Sequence, residues 1–165
     1  MGRLFRCESG LRWLWLAALV LILDQLTKYW VSISIPYGFQ GIELTPFLNL
    51  VYVFNPGAAF SFLADESGWQ RWLFTGFAIV IAIVLSVWLK RLPAKSRWLG
   101  IAIALIIGGA LGNVIDRIHL GHVIDFIDFH LGGSHYPAFN LADSGICVGA
   151  VMLVLESIFN KKKES

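Results

Sequence analysis

The stretch WLGIAIALIIGGALGNVIDR, residues 98–117, carries no ionisable side chain before Asp116 and turns polar only at Asn113, Asp116 and Arg117. A helix of about twenty apolar residues is what crosses a hydrocarbon core ~30 Å thick, and residues 98–115 come close to that length. Working outward, three more apolar runs follow the same rule: residues 11–31, 69–89 and 139–159. The whole chain of 165 residues is 57% hydrophobic with a mean hydropathy of +0.70, outside the range of water-soluble domains. The expected fold class is therefore an all-α polytopic membrane protein with four transmembrane helices, organised as one membrane-embedded domain over residues 1–165.

Charge sets the expected orientation. Ten of the thirteen Lys and Arg residues form three groups: Arg3, Arg6 and Arg12; Lys90, Arg91, Lys95 and Arg97; Lys161, Lys162 and Lys163. Basic loops stay on the cytoplasmic side, so both termini and the loop around Pro93 are expected inside, which requires an even number of spans. The connections 32–68 and 117–138 then face outward. A net charge of +2, with basic residues confined to the ends and one short loop, points to no nucleic-acid partner. Three arginines ahead of an apolar run also suit a cleaved signal peptide. No small-x-small site follows, however, and Asp24, Lys28 and Trp30 continue the helix, so the first run reads as a retained span. Cys7 and Cys147 are too far apart in the chain to suggest a disulfide framework or a zinc site.

The outer connections hold further signals. Residues 48–54 read as a strand stopped by the turn Asn55-Pro56-Gly57, and residues 123–129 as a second short strand interrupted by Asp125 and Asp128. With Trp30, Tyr37 and Trp69 these strands would form a small platform at the membrane surface, where amphipathic aromatics are favoured.

A charge inside a span costs a few kcal/mol on insertion scales, so it needs a partner or a function. Counting at 1.5 Å per residue from the basic anchors places Asp24 roughly 18 Å from Arg12, and Asn113 and Asp116 roughly 24 and 28 Å from Arg97. By the same count Asp143 and Asn140 lie roughly 27 and 31 Å from Lys161. All three counts reach the outer leaflet, and Asp125, nine residues after Asp116, can fold back to the same level. Asn113, Asp116 and Arg117 share a helix face, as do Asn140 and Asp143. Gly108, Gly109 and Gly112 lie just below that cluster, where another helix or a ligand can approach the backbone.

Each polar group also has a structural reading. Asp24 and Lys28, at i and i+4, suit an ion pair in which a snorkelling lysine meets an aspartate anchoring the first helix. Asp116 and Arg117 suit an ion pair at a helix end. Asp125 and Asp143 have no basic residue at helical spacing, which leaves catalysis or transport open for them. Asp143-Ser144-Gly145 matches the Asp-Ser/Thr-Gly turn of soluble aspartic proteases, but in one copy only and at the start of a helix. His119, His122, His130 and His135, with Asp125 and Asp128, fit none of the zinc spacings, so no metal is expected. A non-enzymatic proton or ion conductor is the competing class. It would spread ionisable groups through both leaflets, whereas the inner halves of spans two to four are apolar except for Ser86 and Glu156.

Five motifs occur in order: Asp24-Gln25-x-Thr27-Lys28, Asn55-x-Gly57-Ala58-Ala59-Phe60, Gly108-Gly109-Ala110-x-Gly112-Asn113-x-x-Asp116-Arg117, Val123-x-Asp125-Phe126 and Phe139-Asn140-x-Ala142-Asp143-Ser144. Together they cover most of the chain, which resembles the bacterial lipoprotein signal peptidases, the type II signal peptidases. The resemblance implies four transmembrane helices with a small extracytoplasmic β-sheet cradle and a short mobile helix beside it. It implies aspartic hydrolysis of the bond before the diacylglyceryl-cysteine of a prolipoprotein, in the bacterial cytoplasmic membrane, with Asp125 and Asp143 as the catalytic pair. Asn113, Arg117 and Asn140 would hold the substrate backbone or the transition-state oxygen, with Asp24, Lys28, Asn55 and Asp116 supporting the site. The expected partners are prolipoprotein substrates, membrane lipids and a globomycin-type inhibitor, with no cofactor and a monomeric state.

Overall fold

The computed structural model describes residues 9–39, 41–57 and 68–164, with side chains up to residue 159. A 3-10 turn at Gly10–Trp13 leads into α1 (Leu14–Ser34). Strands β1 (Ile42–Thr45) and β2 (Leu48–Asn55) precede α2 (Trp69–Arg91) and α3 (Arg97–His119), and strands β3 (Val123–Leu131) and β4 (Ser134–His135) precede α4 (Leu141–Glu164). Gly10–Ser34, Trp69–Arg91, Arg97–His119 and Leu141–Phe159 are long and apolar enough to cross a membrane. The third helix runs past residue 115 to His119, because Asp116 finds a buried partner inside the bundle. The fourth starts at Leu141 rather than 139, because Asn140 caps it.

Each break in the bundle has a local cause. The residue before a proline avoids the helical region. Ile35, before Pro36, accordingly takes φ −119° and ψ 121° and ends α1, and Leu92, before Pro93, takes φ −71° and ψ 137° and ends α2. At that end the Gly10 N–H donates to the Leu92 carbonyl at 2.9 Å, so the start of the chain and the 92–96 loop share one end of the bundle.

Helix α3 is the axis: 67% of its membrane-length window is buried inside the protein, against 28, 22 and 11% for the first, second and fourth spans. Lipid chains are as apolar as leucine, so helices associate in a membrane through close packing and hydrogen bonds. The glycines of α3 permit that approach. Gly108 faces the Ala17 carbonyl of α1, Gly109 the Ala142 carbonyl of α4, and Gly112 the Asp24 carboxylate. A Cβ at Gly109 would overlap the Ala142 backbone oxygen, which cannot swing aside as a side-chain tip can. Gly109→Ala is expected to displace the start of α4 and to cost about 1–3 kcal/mol. Thermal unfolding in detergent checks this, and an unchanged midpoint together with unchanged turnover would contradict it.

The opposite end carries a four-stranded antiparallel sheet in the order β1-β2-β3-β4. It is anchored by Phe126 against Val31 and Ile35 at the end of α1, with Leu50, Tyr52, Ile127 and Leu141 packed around them. Asp125 and Asp128 do not interrupt β3 as the sequence suggests. They sit within it, opposite Val53 and Asn49, because side-chain amides satisfy their buried carboxylates. Strands β1 and β4 are additions to the two expected. Tyr37 joins the platform, stacked on Phe54 at 4.2 Å and edge-on to Tyr52, while Trp30 and Trp69 lie exposed on their helices. The described residues contain no short helix beside the sheet. Residues 58–67, with the motif positions Ala58, Ala59 and Phe60, lie outside them, as does Cys7.

Candidate active site

Lys28 is 2% exposed, so it does not snorkel. Its Nζ lies 2.8 Å from Asp24 Oδ2 and 2.8 Å from Asp116 Oδ2, and donates to Asn113 Oδ1 at 3.0 Å. Three donors meet three acceptors, the condition under which a buried ammonium is tolerated. The i,i+4 pair expected from the sequence is present. The expected Asp116–Arg117 pair is not: neighbours on a helix point about 100° apart, and Asp116 turns inward to Lys28.

Asp24 does not anchor its own helix but caps another. The first N–H groups of a helix lack intrahelical acceptors. At the start of α4, the Ala142 N–H donates to Asp24 Oδ1 at 2.9 Å, and the Asp143 N–H donates to Asn140 Oδ1 at 2.9 Å. In return Asp143 Oδ2 accepts from the Asn140 backbone N–H at 3.2 Å. Asn140 and Asp143 thus form a reciprocal capping box, with aspartate in the place usual for glutamate or glutamine. The local rule that starts α4 therefore also orients the Asp143 carboxyl.

Asp125 is brought to the same place by β3. Its Oδ1 accepts from Asn140 Nδ2 at 2.7 Å and its Oδ2 from Asn55 Nδ2 at 3.0 Å. Asn55 is itself held by its turn, its Oδ1 accepting the Gly57 N–H at 2.9 Å, with Gly57 at φ +107°. Asn113 Nδ2 donates to Asp143 Oδ1 at 2.7 Å, and Asn140 Nδ2 also reaches Asn113 Oδ1 at 3.2 Å. A continuous chain, Asp125–Asn140–Asn113–Asp143, results from four residues of β3, α3 and the α4 cap. The amides of Asn113 and Asn140 are spent on the two aspartates, and both residues are buried. Arg117 is different. Its Nη1 makes a 3.4 Å bond to the Asn113 carbonyl, its buried Nε has no hydrogen-bond partner among the described residues, and its guanidinium lies in electrostatic range of Asp143, Asp116 and Asp125.

Asp125 is 2% exposed, and burial is the main reason its pKa is pushed up to about 7; the Asp143 charge raises it further, while the Asn55 and Asn140 hydrogen bonds and Lys28 oppose the rise. Asp128 goes the other way. Burial alone would raise it, but hydrogen bonds from His135 and Asn49 and the field of the histidines hold it below the usual carboxylate range. His130 and His135 stack at 5.0 Å in the β3–β4 hairpin, while His122 packs on Phe54. Among the described residues no set of three His, Cys, Asp or Glu side chains forms a metal-binding group.

Every sequence-predicted site residue except Gly109 falls in this cluster. Gly109 sits below it as the seat of α4. Reasoning on roles overlooked Gln25, whose Nε2 donates to Asp116 Oδ1 at 2.8 Å and lies 3.2 and 3.3 Å from Asp24 Oδ2 and the Gly112 carbonyl. Its position beside Asp24 in the first motif was the available signal.

Four apolar helices, a sheet at one end and a pair of amide-bridged carboxyls, Asp125 buried and Asp143 half-buried, define a polytopic membrane enzyme. The fold matches a bacterial membrane enzyme solved by the in meso method at 2.3 Å resolution, with a TM-score of 0.82 and 33% identity over 93% of this chain and 92% of that one. A second such structure, at 1.9 Å, gives a TM-score of 0.75 at 33% identity over 88 and 91%. Residues 16–159 match the family model for signal peptidase (SPase) II. The lipoprotein signal peptidase of Aeromonas hydrophila is 57% identical over 157 residues, 95% of this chain and 94% of that one. That of Vibrio cholerae is 58% identical over 156 residues, 94 and 91%. The chain belongs to the signal peptidase II family and is a membrane-spanning peptidase.

Proposed function

We propose that the protein removes the signal peptide from lipid-modified prolipoproteins by aspartic chemistry, cutting before the diacylglyceryl-cysteine. The observation that carries this is the Asp125–Asn140–Asn113–Asp143 chain, which holds two carboxyls in one poorly hydrated site. Like charges so placed resist joint ionisation, so the pair shares a proton. Asp125, the more buried and raised to about 7, holds that proton, and Asp143, at a helix N-terminus, is the base. Water adds to the scissile carbonyl carbon, its proton passing to Asp143, while Asp125 protonates the carbonyl oxygen. On collapse the C–N bond breaks, the nitrogen takes the proton from Asp143, and Asp125 recovers its own. Arg117 supplies the donor for substrate carbonyls, and Asn113 and Asn140 position the pair. Asp24, Lys28, Asn55 and Asp116 hold the frame, and the chemistry calls on no cofactor.

The setting is the bacterial cytoplasmic membrane, with both termini inside and the site near the outer face. Arg12, Lys90, Arg91, Lys95 and Arg97 gather at the bundle end remote from the sheet, which supports that orientation. A diacylglyceryl chain can then stay in lipid while its cysteine reaches water, and a globomycin-type cyclic peptide fits the same site of a monomeric enzyme.

The test is cleavage of a lipid-modified prolipoprotein peptide by the purified protein with EDTA present, the products weighed by mass spectrometry. Scission before the modified cysteine is expected. No cleavage, or cleavage only after a divalent metal is restored, would overturn the reading. The pH profile has a definite sign. Below about pH 7 Asp125 is protonated and the acid is in place; above it the proton is lost and both carboxyls are charged. The value of kcat/KM is therefore expected to fall about tenfold per pH unit above about 7. A profile flat to pH 9 would remove Asp125 as the acid.

A further inference from the structure

At the bundle end opposite the sheet, the 3-10 turn and the first residues of α1 and α3 border an open cavity of about 370 Å³ lined by Arg12, Trp13, Trp15 and Arg97. Two guanidiniums, one from the 3-10 turn and one from α3, face one space, and among the described residues no acidic side chain lines it. Among the described residues neither arginine pairs with a carboxylate. Both side chains are exposed, so together they present two unneutralised cations to an approaching anion. The Arg12 guanidinium lies 5.2 Å over the Trp13 ring, and Trp13 and Trp15 lie 6.3 Å apart, so one arginine is held in place by an aromatic wall. Trp13 packs its buried Nε1 edge against Gly100 of α3, which fixes that wall in place. Helix α3 begins at Arg97, with no side-chain cap from Ser96, so the positive end of its dipole opens here too.

We propose that this cavity binds the phosphodiester headgroup of an anionic phospholipid. Guanidinium forks match phosphate oxygens in pairs, which accounts for two arginines rather than two lysines. The surroundings select a lipid over a soluble anion. Trp15, in the cavity lining, is 59% exposed, and exposed Leu14 and Leu19 continue up α1, so acyl chains have an apolar track leading away from the phosphate. The site joins the feet of the two helices whose upper parts share the Lys28–Asp116 ion pair. A bound lipid would tie α1 to α3 at the end remote from the aspartates.

The experiment places the purified full-length protein in nanodiscs and measures quenching of tryptophan fluorescence by brominated phosphatidylglycerol or brominated phosphatidylcholine. The wild type is expected to prefer the anionic lipid. Arg12→Gln with Arg97→Gln is expected to weaken that preference roughly thirtyfold. Lys90→Gln with Lys95→Gln removes the same charge from the same end but outside the cavity, and is expected to keep most of it. Equal losses in the two variants would show only a general surface field and would overturn the site. Full displacement of the lipid by millimolar inorganic phosphate would overturn the lipid assignment. Unfolding measured in phosphatidylcholine reports the integrity of each variant. Arg12→Lys with Arg97→Lys, which keeps the charge without the forks, is expected to lose a smaller part of the preference, and no loss in either arginine variant would overturn the proposal.

Discussion

Asp143→Asn is expected to lower turnover on the order of 10³-fold or more while leaving the protein inserted and folded, and Asp125→Asn to do the same. The two substitutions remove different things. At position 143 the proposed base is lost. The new amide can still accept from the Asn140 N–H, but its NH2 group would then meet the Asn113 amide donor, and Asn113 cannot turn over because Lys28 holds its Oδ1. A stability loss of about 1–2 kcal/mol therefore accompanies the loss of activity. At position 125 the proposed acid is lost, and the new amide meets one donor too many, from either Asn55 or Asn140. Single-turnover cleavage separates chemistry from binding, and thermal unfolding reports the smaller structural cost. Retained turnover by either purified variant would rule out the pair.

Lys28→Met is expected to be the most destabilising single change in the site. It leaves Asp24 and Asp116, 0 and 3% exposed, facing each other without their cation. Removing one partner of a buried ion pair typically costs about 3–5 kcal/mol, because the remaining charge stays out of water. Here the loss propagates: Asp24 also caps α4 through the Ala142 N–H, and Asp116 accepts the Ile124 N–H at the start of β3. Both catalytic elements lose their seat together. Adding Asp116→Asn to Lys28→Met removes one of the two stranded charges and their mutual repulsion, and is expected to recover part of the unfolding midpoint but little activity. A Lys28→Met midpoint indistinguishable from the wild type would show that the lysine is not the hub of this network.

The readable part of this protein was the part governed by local rules. Four runs of apolar residues identified four helices within a few residues, and residues 48–54 identified β2, because hydrophobic length and alternation act over short distances. Asp24, Asn113, Asp116, Asn140 and Asp143 count to the same leaflet, because a helix rises by a constant step. Partners were not legible: Asp116 meets Lys28 rather than its neighbour Arg117, and Lys28 is buried rather than snorkelling, because sequence proximity says nothing about which face of α3 turns toward α1.

What the sequence alone determined is the set of spans, the level of the polar residues and, through five ordered motifs, the family. What only the tertiary structure decided is who meets whom: Asp24 capping a helix 118 residues away, Asn140 joining Asp125 to Asn113, and Lys28 bridging two helices. Span length and depth follow from a chain's own geometry in lipid, whereas those pairings require α1 and α4 to settle against the glycines of α3, a fit between distant surfaces that no local pattern encodes.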